Sequence, residues 1–444
     1  MSSAATPDSR DYFRAPPAIF WTALLLRIAY ITLGHTYRIT PFNHHFEFGW
    51  ETGRVAASVA AGRGYSSPFG GDTGPTAWMT PGFTLLLAGV FKIFGVYSAL
   101  SAWMILAIDS FFQALTVPFV FEMGARTAGR RTALWAAWIW ALYPGIVQYA
   151  ARWIWETSLS ALLFAAVLVL GMRMRGTGSP QPWPPRQRVR DWLLFGLLWG
   201  AIAMTNPALL PMAPVEGLWI LLGAVPRREW LRGAVLAVLS ILACGLVAAP
   251  WIVRNERVFH AFVPTRDNLG AELAVAWAPD SSGFPWGQTV PAYTAAPEHQ
   301  LYERMGELAY VKMRGQLARQ WARQTPAHFW KLVALRFYMF WAGVPHEEGG
   351  HAAAEAVRET AHCFGSIAGI LGLLVALRRK LPAAGLFAWA IALLPLIYYF
   401  VIAGARFRNP LEPFLAILTV YLFQHAEPRW GFSVRGLRWL WPAR

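Results

Sequence analysis

The chain reads as an all-α integral membrane protein of about ten transmembrane helices, with interfacial helices and one large segment outside the membrane. Three observations predict this. Of 444 residues, 56% are hydrophobic, against a usual value of about 45–50%, and 14% are charged, against a usual value of about 25%. Apolar runs of spanning length recur along the chain. Basic residues gather in the short turns between those runs. The composition excludes disorder. It also argues against an ordinary soluble enzyme, which at this length would need charged surface for two or three domains. The net charge of +15 does not change the class. The arginines sit in short loops, as in cytoplasmic loops of membrane proteins, and no basic and aromatic cluster resembles a nucleic-acid module.

A spanning helix needs about 20 residues, with roughly 17 as the low end. Runs 17–34, 98–122, 132–151, 153–172, 233–253, 363–377, 383–403 and 411–425 meet or nearly meet this length. The stretch 191–223 is long enough for two short crossings broken at Thr205-Asn206-Pro207, which completes ten. Runs 81–95 and 329–343 are about 15 residues each and carry Lys92, Lys331 and Arg336. The positive-inside rule decides their reading. The basic turns around Arg126–Arg131, Arg173–Arg190, Arg227–Arg232 and Arg378–Lys380 share one side with both termini only if these two runs lie in the outer interface.

Three regions follow. Residues 1–253 form an N-terminal transmembrane region with a first outward loop at 35–97. Residues 254–361 form an outward segment, with an amphipathic stretch from Leu301 to Trp321 ended by Thr325-Pro326 and the interfacial helix 329–343. Residues 362–444 form a C-terminal transmembrane region. Residues 1–16 are polar and no cleavage site follows the first apolar run, so that run is expected to be a permanent anchor. Cys244 and Cys363 lie in apolar runs and read as small core residues rather than a disulfide or metal pair.

The first outward loop carries the clearest chemistry. Glu47 and Glu51 are four residues apart, so a helix would put both on one face, with Val55, Ala56, Val59 and Ala60 on an apolar face and Gly62-Arg63-Gly64-Tyr65 ending it. A carboxylate on a short helix beside the membrane suits a general base. The bland alternative is a solvated interfacial helix. Outward arginines are the second signal: Arg152, Arg254 followed by Asn255, and Arg406 and Arg408 in one tight turn. A guanidinium is planar, always charged and binds a phosphate through two donors. The competing use is snorkelling to lipid head groups. Arg27, Asp109 and Glu156 fall at membrane depth, where ionisable groups pair or line a polar cavity. Arg27 and Asp109 are expected to pair, and Glu156 to face the cavity. His44, His45, His346 and His351, with Glu347 and Glu348, match no metal motif, so a divalent metal is unsupported and no cofactor is implied. Neither a P-loop nor a Rossmann glycine pattern is present.

Six stretches together resemble the membrane-embedded glycosyltransferases of the GT-C fold, and most nearly the family 39-like proteins of bacteria, relatives of protein O-mannosyltransferases and lipid A aminoarabinose transferases. They are Glu47 to Tyr65; Pro75-Thr76-Ala77 with Pro81 to Gly95; Ala141 to Pro144 with Trp155-Glu156; Pro250 to Asn255; Glu303 to Tyr310; and Arg406 to Pro413. The resemblance implies a hexosyl- or pentosyltransferase of the bacterial inner membrane with its site facing the periplasm. It would take a sugar from a polyprenyl phosphate and pass it to a lipid, glycan or protein. It further implies an acidic base in the first outer loop, here Glu47 or Glu51, and basic residues at the donor phosphate, here Arg406, Arg408, Arg254 and Arg152. Glu156, Asn255, His44, His45 and Tyr65 would line the cavity. Family members often carry Asp-Glu at the start of the loop helix. This chain has Phe48-Gly49 there, so both glutamates stand as candidates. Two other classes fit the composition, a transporter or flippase of lipid-linked sugars and a non-catalytic envelope scaffold. The first would show two similar halves, which this sequence does not.

Overall fold

The structure, a computed structural model, describes residues 15–39, 48–178, 185–225, 229–284, 291, 296–344 and 352–425. Among these the chain is helical, with a single isolated antiparallel bridge between Ser66 and Pro75. In chain order the helices are α1 (Ala15–Leu33), α2 (Glu51–Ala60), α3 (Pro81–Phe94), α4 (Ala99–Ala128), α5 (Arg130–Leu142), α6 (Pro144–Ala151), α7 (Thr157–Arg175), α8 (Pro185–Ala203), α9 (Met212–Ala224) and α10 (Trp230–Phe259). They continue as α11 (Leu269–Trp277), α12 (Ala296–Met305), α13 (Glu307–Gln324), α14 (Pro326–Ala342), α15 (Ala352–Arg378), α16 (Ala384–Leu393), α17 (Leu396–Phe400) and α18 (Glu412–His425). Short 3-10 turns cover Pro207–Leu209 and Ala405–Leu411.

Among the described residues, five segments are long and apolar enough to cross a membrane: Pro16–Leu33, Ala99–Ala128, Thr157–Arg175, Trp230–Phe259 and Ala356–Arg378. Shorter apolar pieces are Pro81–Phe94, Met212–Ala224 and Ala384–Phe400. The chain is thus a multi-pass membrane protein, and proline accounts for several departures from the sequence expectation. The run 132–151 is two helices, because Pro144 has no N–H to continue α5 and opens α6 instead. The run 383–403 likewise divides ahead of Pro395, and 191–223 divides at the expected Asn206-Pro207. Arg254 and Asn255 lie within α10, which runs on to Phe259 rather than ending at 253. The amphipathic stretch around 301–321 is α12 and α13, separated at Gly306, whose φ of 74° suits glycine.

The bundle core joins α4, α5, α7, α8, α16 and α18. Small residues let helices approach closely, as in other membrane bundles. A Cβ on Gly372 of α15 would stand 2.1 Å from the Leu418 carbonyl of α18, and one on Gly124 of α4 would stand 2.8 Å from Ala133 Cα of α5.

Arg27 does not pair with Asp109. Its Nη1 donates to the carbonyls of Ala23 at 3.0 Å and Ala141 at 2.9 Å. The reason is the break at Pro144, which leaves the last carbonyls of α5 without in-helix donors, and Arg27 supplies one. Both carboxyl oxygens of Asp109 are buried without a hydrogen-bond partner among the described residues, and Glu156 is a nearby charge.

The bundle has two chemically distinct ends. At one, the basic turns interlock: Glu122 accepts from Arg126 at 2.8 Å and from Arg173 at 2.7 Å, and Arg126 also donates to the Thr177 carbonyl at 2.9 Å. At the other lie α2, the link 152–156, α11 to α14 and the turn 405–411.

Candidate functional site

Glu51 opens α2, behind a turn in which Phe48, Gly49 and Trp50 have φ of 62°, 85° and 52°. Such left-handed runs persist only where surroundings over-determine them. Here Phe48 is buried against Phe91 and Tyr97. Gly49 lies so close to the link 152–156 that a Cβ would come within 2.8 Å of the Ile154 carbonyl. Val55 and Ala56 are fully buried, and Val59 and Ala60 are half-buried. The apolar face of α2 therefore packs on protein, α3 above all.

This packing puts the Glu51 carboxylate in a desolvated corner. Burial pushes its pKa up to about 7; its own backbone N–H opposes the shift, Glu272 adds to it, and Arg54 and Arg406 oppose it. Among the described residues no other side chain donates a hydrogen bond to it.

Arg406 is half-buried with its guanidinium 3.7 Å from the centroid of the Trp155 ring and 4.6 Å from that of Phe407. Cation–π contact holds it in place. Among the described residues it makes no ion pair or hydrogen bond. Glu272 of α11 takes a hydrogen bond from the Asn268 side chain at 3.1 Å. Its pKa is raised by burial and pulled back by Arg266 and Arg406. Glu51, Glu272 and Arg406 thus share one corner, with Arg54 and Arg266 around it. Trp155 belongs to an aromatic group with Tyr149, Trp153 and Trp50.

The other expected site residues are placed differently. Arg408 is fully buried and turned away from Arg406. It pairs with Glu412 at 2.6 Å, donates to the His362 carbonyl at 3.0 Å and contacts Ser366. The two arginines therefore do not converge on one anion. Arg254 donates to the carbonyls of Thr76 at 2.7 Å and Tyr65 at 2.8 Å and to Asn255 Oδ1 at 2.8 Å, while Asn255 donates to the Val263 carbonyl at 2.8 Å. Tyr65 donates to the carbonyls of Met79 at 2.9 Å and Thr80 at 3.0 Å. These three form a clamp that holds the first loop to α10. Arg152 is exposed at the end of α6. Glu156 is half-buried at the N-terminus of α7. Glu47, His44 and His45 lie outside the described residues.

Sequence reasoning missed Glu272, Arg266 and Arg54, and it missed a second acidic cluster. Glu307 accepts from Tyr302 Oη at 2.6 Å, from Thr76 Oγ1 and from the Ala77 N–H. Asp267 lies beside it, its pKa pushed up to about 8 by burial and then by the Glu307 charge. The available signals were the charges Arg266, Asp267 and Glu272 in an outward segment and, for the acidic cluster, the family-like stretches Pro75–Ala77 and Glu303–Tyr310, in which Glu307 was not singled out. Among the described residues no group of three or more His, Cys, Asp or Glu is placed to hold a metal ion.

No family model matches the chain, and no curated protein does. Solved structures do. The oligosaccharyltransferase of Archaeoglobus fulgidus in its apo form superimposes with a TM-score of 0.54 at 14% identity, over 93% of this chain and 51% of that one. The fold is GT-C-like. The same enzyme tethered to an acceptor peptide containing the NVT sequon gives 0.51 at 14% identity, over 93% and 50%. Its complex with an inhibitory peptide and a dolichol-phosphate, named AglB, gives 0.50 at 14% identity, over 94% and 51%. The chain therefore spans about half the length of the structures it matches, and the likeness is one of fold.

Proposed function

We propose that this GT-C-like chain is a membrane glycosyltransferase, akin to the family 39-like enzymes, in which ten spans carry a site facing the periplasm of a bacterial inner membrane. It moves a sugar from a polyprenyl phosphate to an acceptor hydroxyl by a single inverting displacement. Glu51 removes the acceptor proton, and Arg406 stabilises the charge that grows on the departing lipid phosphate. The three-region division of the chain belongs to the same reading, with 254–361 supplying α11 and Glu272 to the site.

The observation that carries the proposal is the Glu51–Arg406 corner. A base works best with a pKa near the operating pH, and that of Glu51 is raised to about 7. A phosphate holder should have donors to spare, and Arg406 is stacked on Trp155 with its N–H groups uncommitted to described residues. The dolichol-phosphate and acceptor peptides held by the archaeal oligosaccharyltransferase support a lipid-phosphate donor in this fold. Arg408 then acts at one remove, by fixing the turn that presents Arg406, and Arg254 by holding the first loop.

The test is transfer from a labelled polyprenyl-phosphate sugar by purified protein. Glu51→Gln keeps shape but cannot take a proton, and is expected to lower kcat by about 10²–10⁴-fold. Full turnover by this variant would remove Glu51 as base.

A further inference from the structure

From Leu308 to Val344 the sequence has six Lys or Arg and no Asp or Glu. The stretch covers α13 from its second residue and all of α14, and the proposed chemistry uses neither helix. They lie at the end of the bundle opposite the basic turns, the end from which positive charge is normally kept, so its concentration here needs a reason. Two of the six are spent inside the fold. Arg314 pairs with Glu298 at 3.5 Å, and Arg336 is fully buried and donates to the Ala276 carbonyl. The other four, Lys312, Arg319, Arg323 and Lys331, are exposed, and among the described residues they make no ion pair or hydrogen bond.

The placement is regular. At 3.6 residues per turn, Lys312, Arg319 and Arg323 fall within an arc of about 40° and along about 16 Å of α13. The opposite face of the helix, with Tyr310, Val311, Gly315 and Ala318, is buried, chiefly on α11. Only Thr325 separates α13 from α14, whose exposed face is aromatic: Trp330, Phe337 and Tyr338 are 59%, 53% and 65% exposed. These three rings lie within an arc of about 100°. Both ends of the pair are tied to membrane level. Leu308 packs against the cluster of Trp251 and Val263, beside Phe259 at the end of α10, a helix long and apolar enough to span. Met339 and Phe340, near the end of α14, enter the bundle core.

A row of unpaired cations joined to a row of bare aromatic rings selects among partners. A soluble acidic segment would answer the cations and leave the rings in water. A neutral lipid would cover the rings and bring no net negative charge. An anionic phospholipid does both, with its head group on the cations and its acyl chains on the rings. We propose that α13 and α14 form a docking face for anionic phospholipid, with Lys312, Arg319 and Arg323 holding the head group. The face is on the side of α13 turned away from α11 and Glu272. It therefore stands apart from the Glu51–Arg406 corner and does not depend on the transfer reading.

The experiment uses the full chain in phosphatidylcholine nanodiscs, with and without phosphatidylglycerol. Amide exchange across 307–324 is expected to slow several-fold when phosphatidylglycerol is present, and high salt should erase the difference. Each basic residue near an anionic surface strengthens attraction by about fivefold. The combined variant Lys312→Gln, Arg319→Gln, Arg323→Gln and Lys331→Gln gives up no contact among the described residues, so it should keep the melting temperature in phosphatidylcholine. It should lose the protection and bind phosphatidylglycerol at least 10-fold more weakly by native mass spectrometry. The basic turns at the other end of the bundle are the same in both proteins, so the difference reads this face alone. Trp330→Ser with Phe337→Ser and Tyr338→Ser should also weaken the protection. Protection that is absent, or unchanged in either combined variant, overturns the proposal. So does equal protection by inorganic phosphate or a polyglutamate peptide in phosphatidylcholine alone, which would make the partner a soluble anion. Loss of protection in Arg406→Ala would place the lipid at the corner and overturn it as well.

Discussion

Two regions at the same end of the molecule use the same residue types to opposite effect. Against the strap from Tyr65 to Thr80, the charges of Glu307 and Arg254 are consumed by the structure. Glu307 takes hydrogen bonds from Thr76, Ala77 and Tyr302, and Arg254 spends its donors on two backbone carbonyls and Asn255. At the same end, Glu51 takes no side-chain hydrogen bond from the described residues, only that of its own backbone N–H, and Arg406 rests on an aromatic ring with its donors uncommitted to described residues. A buried charge that is fully paired holds loops in place. A desolvated charge left open costs stability and is kept where a ligand completes it. The difference supports the proposed division, architecture for the first pair and chemistry for the second.

The sharpest way to break that contrast is to delete each arginine. Arg406→Ala should lower kcat/KM for the lipid donor by about 10²–10³-fold, the scale of one lost charge-stabilising donor group. Its melting temperature should stay near that of the parent. Arg254→Ala should do the reverse. It strands the Thr76 carbonyl and leaves the Tyr65 carbonyl with only the Thr76 N–H, at a cost of about 1–3 kcal/mol, while the donor KM changes little. Thermal unfolding in detergent, read beside donor titrations, separates the two. If Arg254→Ala spoils donor use and leaves stability intact, the roles are exchanged.

This contrast also marks how far the sequence could be read. Helical class and the break at Asn206-Pro207 follow from local rules, run length and proline chemistry. A short helix is expected around Glu47 and Glu51, but it opens only at Glu51, behind the positive-φ turn 48–50, and Glu47 lies outside the described residues. The further breaks at Pro144 and Pro395 obey the same proline rule, but the hydropathy of 132–151 and 383–403 concealed them. The use of each arginine was not legible. Arg254, Arg406 and Arg408 have identical chemistry, and only tertiary contacts send one to carbonyls, one to Trp155 and one to Glu412. Arg27 shows the same limit, since its partner is a carbonyl freed by a distant helix break rather than the carboxylate of Asp109. Glu272 reaches the corner only because Gly270 lets α11 lie against α13, where a Cβ would meet the Val311 carbonyl at 2.3 Å.

A gentler probe of the strap is pH. The native pKa of Asp267 is about 8, raised from an ordinary value of 3.8. The folded state therefore holds this proton more tightly than the unfolded chain does. Stability from this group is full below about pH 4, falls as pH rises, and is lost by about pH 8. Melting temperature should decline across that window, and Asp267→Asn should flatten the decline, because a neutral amide beside Glu307 no longer titrates. A slope unchanged in the variant would place the titrating group elsewhere.

The smallest expected effect tests the corner most finely. Glu51 must be ionised to act as base, so kcat/KM should rise with pH through about 7 and level off above it. The position of that limb is set by neighbours of opposite sign. The Glu272 charge raises the Glu51 pKa, and the Arg54 and Arg406 charges lower it. Glu272→Gln removes a repulsion and should move the limb to lower pH, whereas Arg54→Ala removes an attraction and should move it to higher pH. Each displacement should be a fraction of a pH unit, since both neighbours act behind the dominant effect of burial. Opposite shifts from two substitutions that leave Glu51 untouched would be hard to produce by any general damage to the fold. A limb that moves the same way in both, or stays fixed, would mean that the group titrating in the rate is not Glu51.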